Sequence, residues 1–170
     1  MEKIYYNAVT ELYNYVNSLL PEYDGNPCIE CNICCGRIAN LGVSELEFDY
    51  IEESLKENNS VIAVSEQQSF KDLETFRRFK NFIQGLTTQR TEQVCPFFDE
   101  KIAGCSIHKI RPLSCRTFGC FIGSSMMDMI PDSCLLKKNV VVYDESNFAE
   151  IMPFIHPFYS LIEKYRISRV

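Results

Sequence analysis

No stretch of this 170-residue chain stays apolar for the roughly 20 positions that a membrane span requires. Its opening residues, "MEKIYYNAVTELYNYVNSLL", lack the basic start and apolar run of a secretory signal. Basic runs and interleaved basic and aromatic stripes are missing too, and the net charge is −6. These absences argue against nonspecific attraction to nucleic acid or anionic lipid, so no nucleic acid and no membrane is expected as a partner. Internal repeats, linkers, low-complexity tracts and a glycine-rich nucleotide loop such as GxGxxG are absent as well. Histidine is scarce, with 2 residues, His108 and His156.

Cysteine is plentiful, with 9 residues. A chain without a secretory signal is expected to be cytoplasmic, where disulfides rarely persist. An odd count also fits a disulfide framework poorly. The cysteines are therefore expected to be metal ligands, catalytic thiols or core residues.

The length suits a single domain over 1–170, able to bury about 70% of the surface its unfolded chain exposes. A hydrophobic share of 46% and a charged share of 24% are those of an ordinary globular protein. The patterning predicts a mainly α fold with a small cysteine-rich, irregular or β-hairpin metal-binding region.

Ile4, Ala8, Val9, Leu12, Val16 and Leu19 recur at helical spacing, which predicts a helix over about 2–20 with its tyrosines along the buried edge. Ser44 followed by Glu47 is a capping-box signature opening a second helix. The segment 65–86 reads as a third. Leu73, Phe76, Ile83 and Leu86 mark its apolar side, and Arg77, Arg78 and Lys80 a solvated face. "VCPFFDEKIAGCSI" predicts a hairpin, the residues after "RP" a short helix, and "NVVVYDE" a brief strand. A terminal helix follows, interrupted at Pro153 or Pro157. His156, between those prolines, is expected to be a packed or exposed helix residue.

The cysteines come in two batches. "CIECNICC" places Cys28, Cys31, Cys34 and Cys35 within residues 28–35. Asn26 can cap a helix there, Pro27 suits its first position and Gly36 can stop it. At about 100° per residue, Cys28, Cys31 and Cys35 would share one face, with Cys34 aimed at a second metal, the core or a substrate. The alternative is a turn in which CxxC pairs wrap one metal through backbone N–H bonds to sulfur. Thiols near a helix N-terminus have lowered pKa values, and the thiolate is the metal ligand.

The second batch is Cys95, Cys105, Cys115 and Cys120. A hairpin could bring Cys95 and Cys105 together, and Gly119 could swing Cys120 back. The batches are expected to converge through the fold. Arg111 and Arg116 could offset thiolate charge and donate hydrogen bonds to sulfur, or serve as ordinary salt-bridge or helix-end charges. His108 fits a ligand or a surface cap, and Cys134 a core residue or reserve ligand.

Three pieces, "CIECNICC" at 28–35, "CPFFDEKIAGC" at 95–105 and "IRPLSCRTFGC" at 110–120, resemble the YkgJ-type CxxCxxCC cysteine-cluster family of zinc- or iron-chelating domains. The resemblance implies that Cys28, Cys31, Cys34, Cys35, Cys95, Cys105, Cys115 and Cys120 are its metal-binding cysteines. His108 stands where that family often has tyrosine, and "FGC" where many members continue with proline.

Eight thiols can hold zinc in sites of four, or one or two [4Fe–4S] clusters. Zinc favours separated CxxC pairs, whereas overlapping CxxCxxC is closer to the bacterial ferredoxin run. The expectation is an iron–sulfur cluster with an electron-transfer, metal-handling or structural role and a possible redox or protein partner. A structural zinc protein is the alternative. A further alternative is an iron–sulfur enzyme using S-adenosylmethionine, since the cysteines look similar to those of the flagellin lysine N-methylase group. Arg111, Arg116 and His108 would then grip a carboxylate or phosphate. The chain lacks the CxxxCxxC of radical enzymes that use that cofactor. A thiol redox role for Cys34 and Cys35 fits less well, because vicinal cysteines form a strained disulfide.

Overall fold

The computed structural model describes residues 1–19, 42–61, 66–85, 95–101, 104–117, 121–123, 141–144 and 146–170. These residues are mostly helical, with short strands, as the patterning predicts. Contacts gather the chain into two compact units. One combines Met1–Pro27 with Leu113–Val170; the other is Cys28–Pro112.

In the first unit, α1 (Lys3–Leu19) buries Val9, Tyr13 and Val16. That stripe is narrower than the predicted one and rotated from it. Ile4 is 69% exposed and Tyr15 44%, because they stand about 140° and 120° around the helix from Val9. Tyr5 and Tyr6 flank the stripe and are half-buried. The helix contacts α6 (Ile155–Ser168). There Tyr5 meets Tyr165 edge-on at 4.9 Å and its hydroxyl donates to the Lys164 carbonyl at 3.2 Å. An edge-to-face pair of this kind contributes about 0.5–1.5 kcal/mol beyond its area burial.

A short helix, α5 (Phe148–Ile151), precedes α6, and the chain breaks helix at Met152–Phe154. The predicted interruption therefore falls at Pro153. Inside a continuous helix its ring would clash with the preceding turn. Pro157 lies in the first turn of α6, where an N–H has no intrahelical acceptor to lose. Phe154 is fully buried and meets Phe121 at 5.7 Å, while His156 is exposed. Before α5, Asp144 accepts hydrogen bonds from the Ser146 hydroxyl, the Ser146 N–H at 2.8 Å and the Asn147 N–H at 3.3 Å. The Ser146 bonds lead in holding its carboxyl below the usual carboxylate range. The strand predicted near 139–145 is β4 (Val141–Tyr143), paired in parallel with β3 (Phe121–Gly123) in the register Phe121↔Val141.

In the second unit, α2 (Glu45–Val61) opens on the predicted capping box. The Ser44 N–H and hydroxyl both donate to Glu47 Oε2 at 2.9 Å, and the Glu47 N–H donates to Ser44 Oγ at 3.3 Å. These bonds satisfy a carboxylate that is only 1% exposed. The helix dipole at this end favours its charge. Replacing Ser44 with alanine is expected to cost about 0.5–2 kcal/mol, read as a fall in melting temperature. An unchanged melt would show that the box contributes nothing.

The third predicted helix is α3 (Glu66–Gly85), packed against α2. Phe76 and Ile83 are buried and Leu73 half-buried, as expected; Leu86 lies outside the described residues. Between them Phe79, 1% exposed, completes the stripe, a core position the pattern reading passed over. Arg77 and Arg78 are exposed, as a solvated face should be. Lys80 instead reaches back to α2, over the Phe48 ring at 5.3 Å and to Glu45 Oε2 at 3.4 Å.

Candidate metal centre

Cys95, Pro96, Phe97 and Phe98 form a tight turn, closed by the Phe98 N–H donating to the Cys95 carbonyl at 2.9 Å. Proline presets the backbone angle that the second position of such a turn needs. The chain then runs into β1 (Phe98–Asp99), which pairs antiparallel with β2 (Gly104–Cys105) in the register Phe98↔Cys105 and Asp99↔Gly104. This is the predicted hairpin. The Lys101 N–H donates to Asp99 Oδ1 at 2.8 Å and turns the chain at its tip. At its base Ser106 clamps the Phe97 carbonyl, with its N–H at 2.9 Å and its hydroxyl at 3.1 Å.

The hairpin brings Cys95 and Cys105 close enough for their charges to interact. Cys95 is 8% exposed, and burial pushes its thiol up to about 11. The backbone N–H groups of Phe97 and Phe98 act the other way, because both stabilise the sulfur anion; a charged Cys105 raises it again. A sulfur that keeps its proton at neutral pH is a poor nucleophile. The same sulfur, once a cation has displaced that proton, has two N–H donors to spread its negative charge. These donors fit a metal-bound thiolate, whose tuning depends on hydrogen bonds to sulfur.

The turn is seated on the helix pair. Phe97, 3% exposed, packs on Phe79 at 5.1 Å between ring centres. Phe79 meets Phe48 at 6.1 Å, and Phe48 meets Phe76 at 6.4 Å. A buried aromatic chain thus runs from α3 and α2 to the residue two positions after Cys95.

His108 opens a 3₁₀ turn, His108–Ile110, and is half-buried. Arg111 is 8% exposed and holds an extended backbone, φ −60° and ψ 149°, as suits a residue before proline. Both belong to the Cys28–Pro112 unit. In the other unit, the short helix predicted after "RP" is α4 (Leu113–Thr117), which carries Cys115, half-buried, and Arg116, 2% exposed. Arg116 Nη1 donates to Asn17 Oδ1 at 2.7 Å, and its guanidinium lies over the Tyr13 ring at 4.2 Å. A desolvated cation–π contact of this kind is worth about 2 kcal/mol, and it ties α4 to α1. Nothing in the local sequence signals this pairing, because Asn17 lies 99 positions away.

Among the described residues, Cys95, Cys105 and Cys115 are not joined in disulfides. Cys28, Cys31, Cys34, Cys35, Cys120 and Cys134 lie outside the described residues, as does the predicted capped helix from Asn26 to Gly36. Among the described residues, no three side chains of His, Cys, Asp or Glu gather as a metal-holding group. Among them, too, no helix is long and apolar enough to cross a membrane.

No curated protein and no solved structure matches the chain. A family model described as "CxxCxxCC: Putative zinc- or iron-chelating domain" matches residues 27–135. That span is more than half of the 170 residues and holds all 9 cysteines. The chain belongs to the CxxCxxCC family.

Proposed function

We propose that this protein binds a metal centre through cysteine thiolates and that the centre is an iron–sulfur cluster. The observation that carries the thiolate reading is the Cys95 turn, with a buried sulfur and two backbone N–H groups that stabilise its anion. Membership of a zinc- or iron-chelating family supports metal binding as such. The overlapping CxxCxxC at 28–34 supports iron–sulfur, since it follows the spacing of ferredoxin ligands.

The ligand pool is Cys28, Cys31, Cys34, Cys35, Cys95, Cys105, Cys115 and Cys120. An iron–sulfur cluster, when bound, supplies one-electron transfer. The chain's own part is to hold the sulfurs, keep water from Cys95 and disperse thiolate charge through the N–H groups of Phe97 and Phe98. Electron transfer to a redox protein partner follows from this reading, with metal handling or a structural role as the alternatives. One observation favours zinc instead: Cys95 and Cys105 share a hairpin, and paired cysteines on a hairpin suit a closed tetrahedral site. No observation among the described residues favours S-adenosylmethionine chemistry, or a grip on a cofactor by Arg111, Arg116 or His108, and the proposal stops at metal binding.

Anaerobic purification followed by metal analysis, acid-labile sulfide analysis and a visible spectrum separates these readings. Brown protein containing iron and sulfide is the expected result. Colourless protein with stoichiometric zinc would replace the cluster by zinc and keep the thiolate reading. Protein carrying neither, after reconstitution with each, would end both.

A further inference from the structure

We propose that Ser106 is a positioning residue for Cys95, acting through the Phe97–Phe98 peptide that closes the Cys95 turn. The inference rests on the thiolate reading above and adds to it the device that holds the Cys95 turn in place. A trans peptide holds its C=O and the following N–H in one plane, pointing in opposite directions. Fixing the Phe97 carbonyl therefore fixes the direction of the Phe98 N–H. Ser106 grips that carbonyl twice, with its N–H at 2.9 Å and its hydroxyl at 3.1 Å. The Phe98 N–H is directed back at Cys95, where it meets the carbonyl oxygen at 2.9 Å and closes the turn that carries the thiol. From the other side, the Phe97 ring is held by Phe79 at 5.1 Å, so the peptide cannot swivel freely about its flanking bonds.

Groups that orient a metal ligand from behind typically change metal affinity by about 10–100-fold when removed. Replacing Ser106 with alanine deletes the hydroxyl and leaves the backbone N–H, so the lower end of that range applies. Threonine keeps the hydroxyl and is the conservative replacement.

The test is metal transfer from the purified, metal-loaded full-length chain to a chromophoric chelator. Wild type, Ser106→Ala, Ser106→Thr and Ser44→Ala are compared, with melting temperatures recorded in parallel. Ser44→Ala is a stability control in the same unit, since it loosens the α2 capping box and does not touch the Phe97 peptide. Ser106→Ala is expected to give up metal about tenfold more readily than wild type. Threonine should restore wild-type retention, and Ser44→Ala should retain metal despite a lower melt. Ser106→Ala indistinguishable from wild type in metal transfer would overturn the inference and leave the thiolate reading standing. So would Ser106→Ala and Ser44→Ala losing metal alike in proportion to their loss of melting temperature. A wild-type chain that holds no metal after reconstitution would overturn the thiolate reading, and this inference with it.

Discussion

Phe79→Ala is expected to lower stability by roughly 3–5 kcal/mol, the usual cost of emptying a buried phenylalanine site. The side chain is 1% exposed and bridges two other rings, Phe48 at 6.1 Å and Phe97 at 5.1 Å. Neither neighbour can close the void without abandoning its own contacts. Phe48 is also held by Phe76, and Phe97 by the hairpin through its carbonyl. For a chain whose total stability is of order 5–15 kcal/mol, the loss is a large part of the whole. Thermal denaturation should show it as a fall of about 6–20 °C, at roughly 2–4 °C per kcal/mol for chains of this size. Arg77→Ala, two positions before it on the exposed face, should stay within about 0.5 kcal/mol. A Phe79→Ala variant that melts with Arg77→Ala would show that the aromatic chain does not hold the helix pair and the Cys95 turn together.

Phe79 stands three positions after Phe76 and four before Ile83, at the same helical spacing as those residues, and is buried with them. Helical spacing identifies a segment and an approximate face, and it served for α1 and α3. It does not say how wide the buried stripe is, which depends on the neighbour that covers it. Ile4 marks the limit of the pattern: apolar and near the right period, it is nevertheless 69% exposed. Local chemistry was more reliable than period. The Ser44–Glu47 box and the break at Pro153 depend on a few adjacent atoms, and both stand where the residues put them. The three-residue β3 carries too few positions for any period, and its parallel partner lies 20 positions on. Arg116 was noticed for its charge, but Tyr13 and Asn17 are found only once the chain has folded. At the site, residue spacing indicated the hairpin that pairs Phe98 with Cys105. The direction of two N–H groups is a property of peptide planes, and only the "CP" dipeptide, which favours a turn, hinted at it.

Complete removal of the metal should destabilise the Cys28–Pro112 unit far more than any surface substitution. A ligand that binds only the folded chain stabilises it by about 4 kcal/mol when present at a thousand times its dissociation constant, and structural zinc in small domains can supply about 10–16 kcal/mol. The lower figure already corresponds to about 8–16 °C in melting temperature. The size of the effect depends on how much of the unit the aromatic chain can hold alone. Phe48, Phe76, Phe79 and Phe97 pack ring against ring, so partial order in the helix pair should survive the loss of metal. Cys95→Ser supplies the second leg of a thermodynamic cycle. Serine is close to cysteine in shape, though slightly smaller, and removes the thiolate, so this variant should melt near the metal-stripped wild type and respond little to chelator. If metal and Cys95 act through one interaction, the two perturbations together should cost little more than either alone. A wild-type melt unchanged after verified metal removal would exclude a structural role for the metal and leave redox or metal-handling roles. Fully additive losses would mean that Cys95 stabilises the turn by packing and that the metal is held by other thiols.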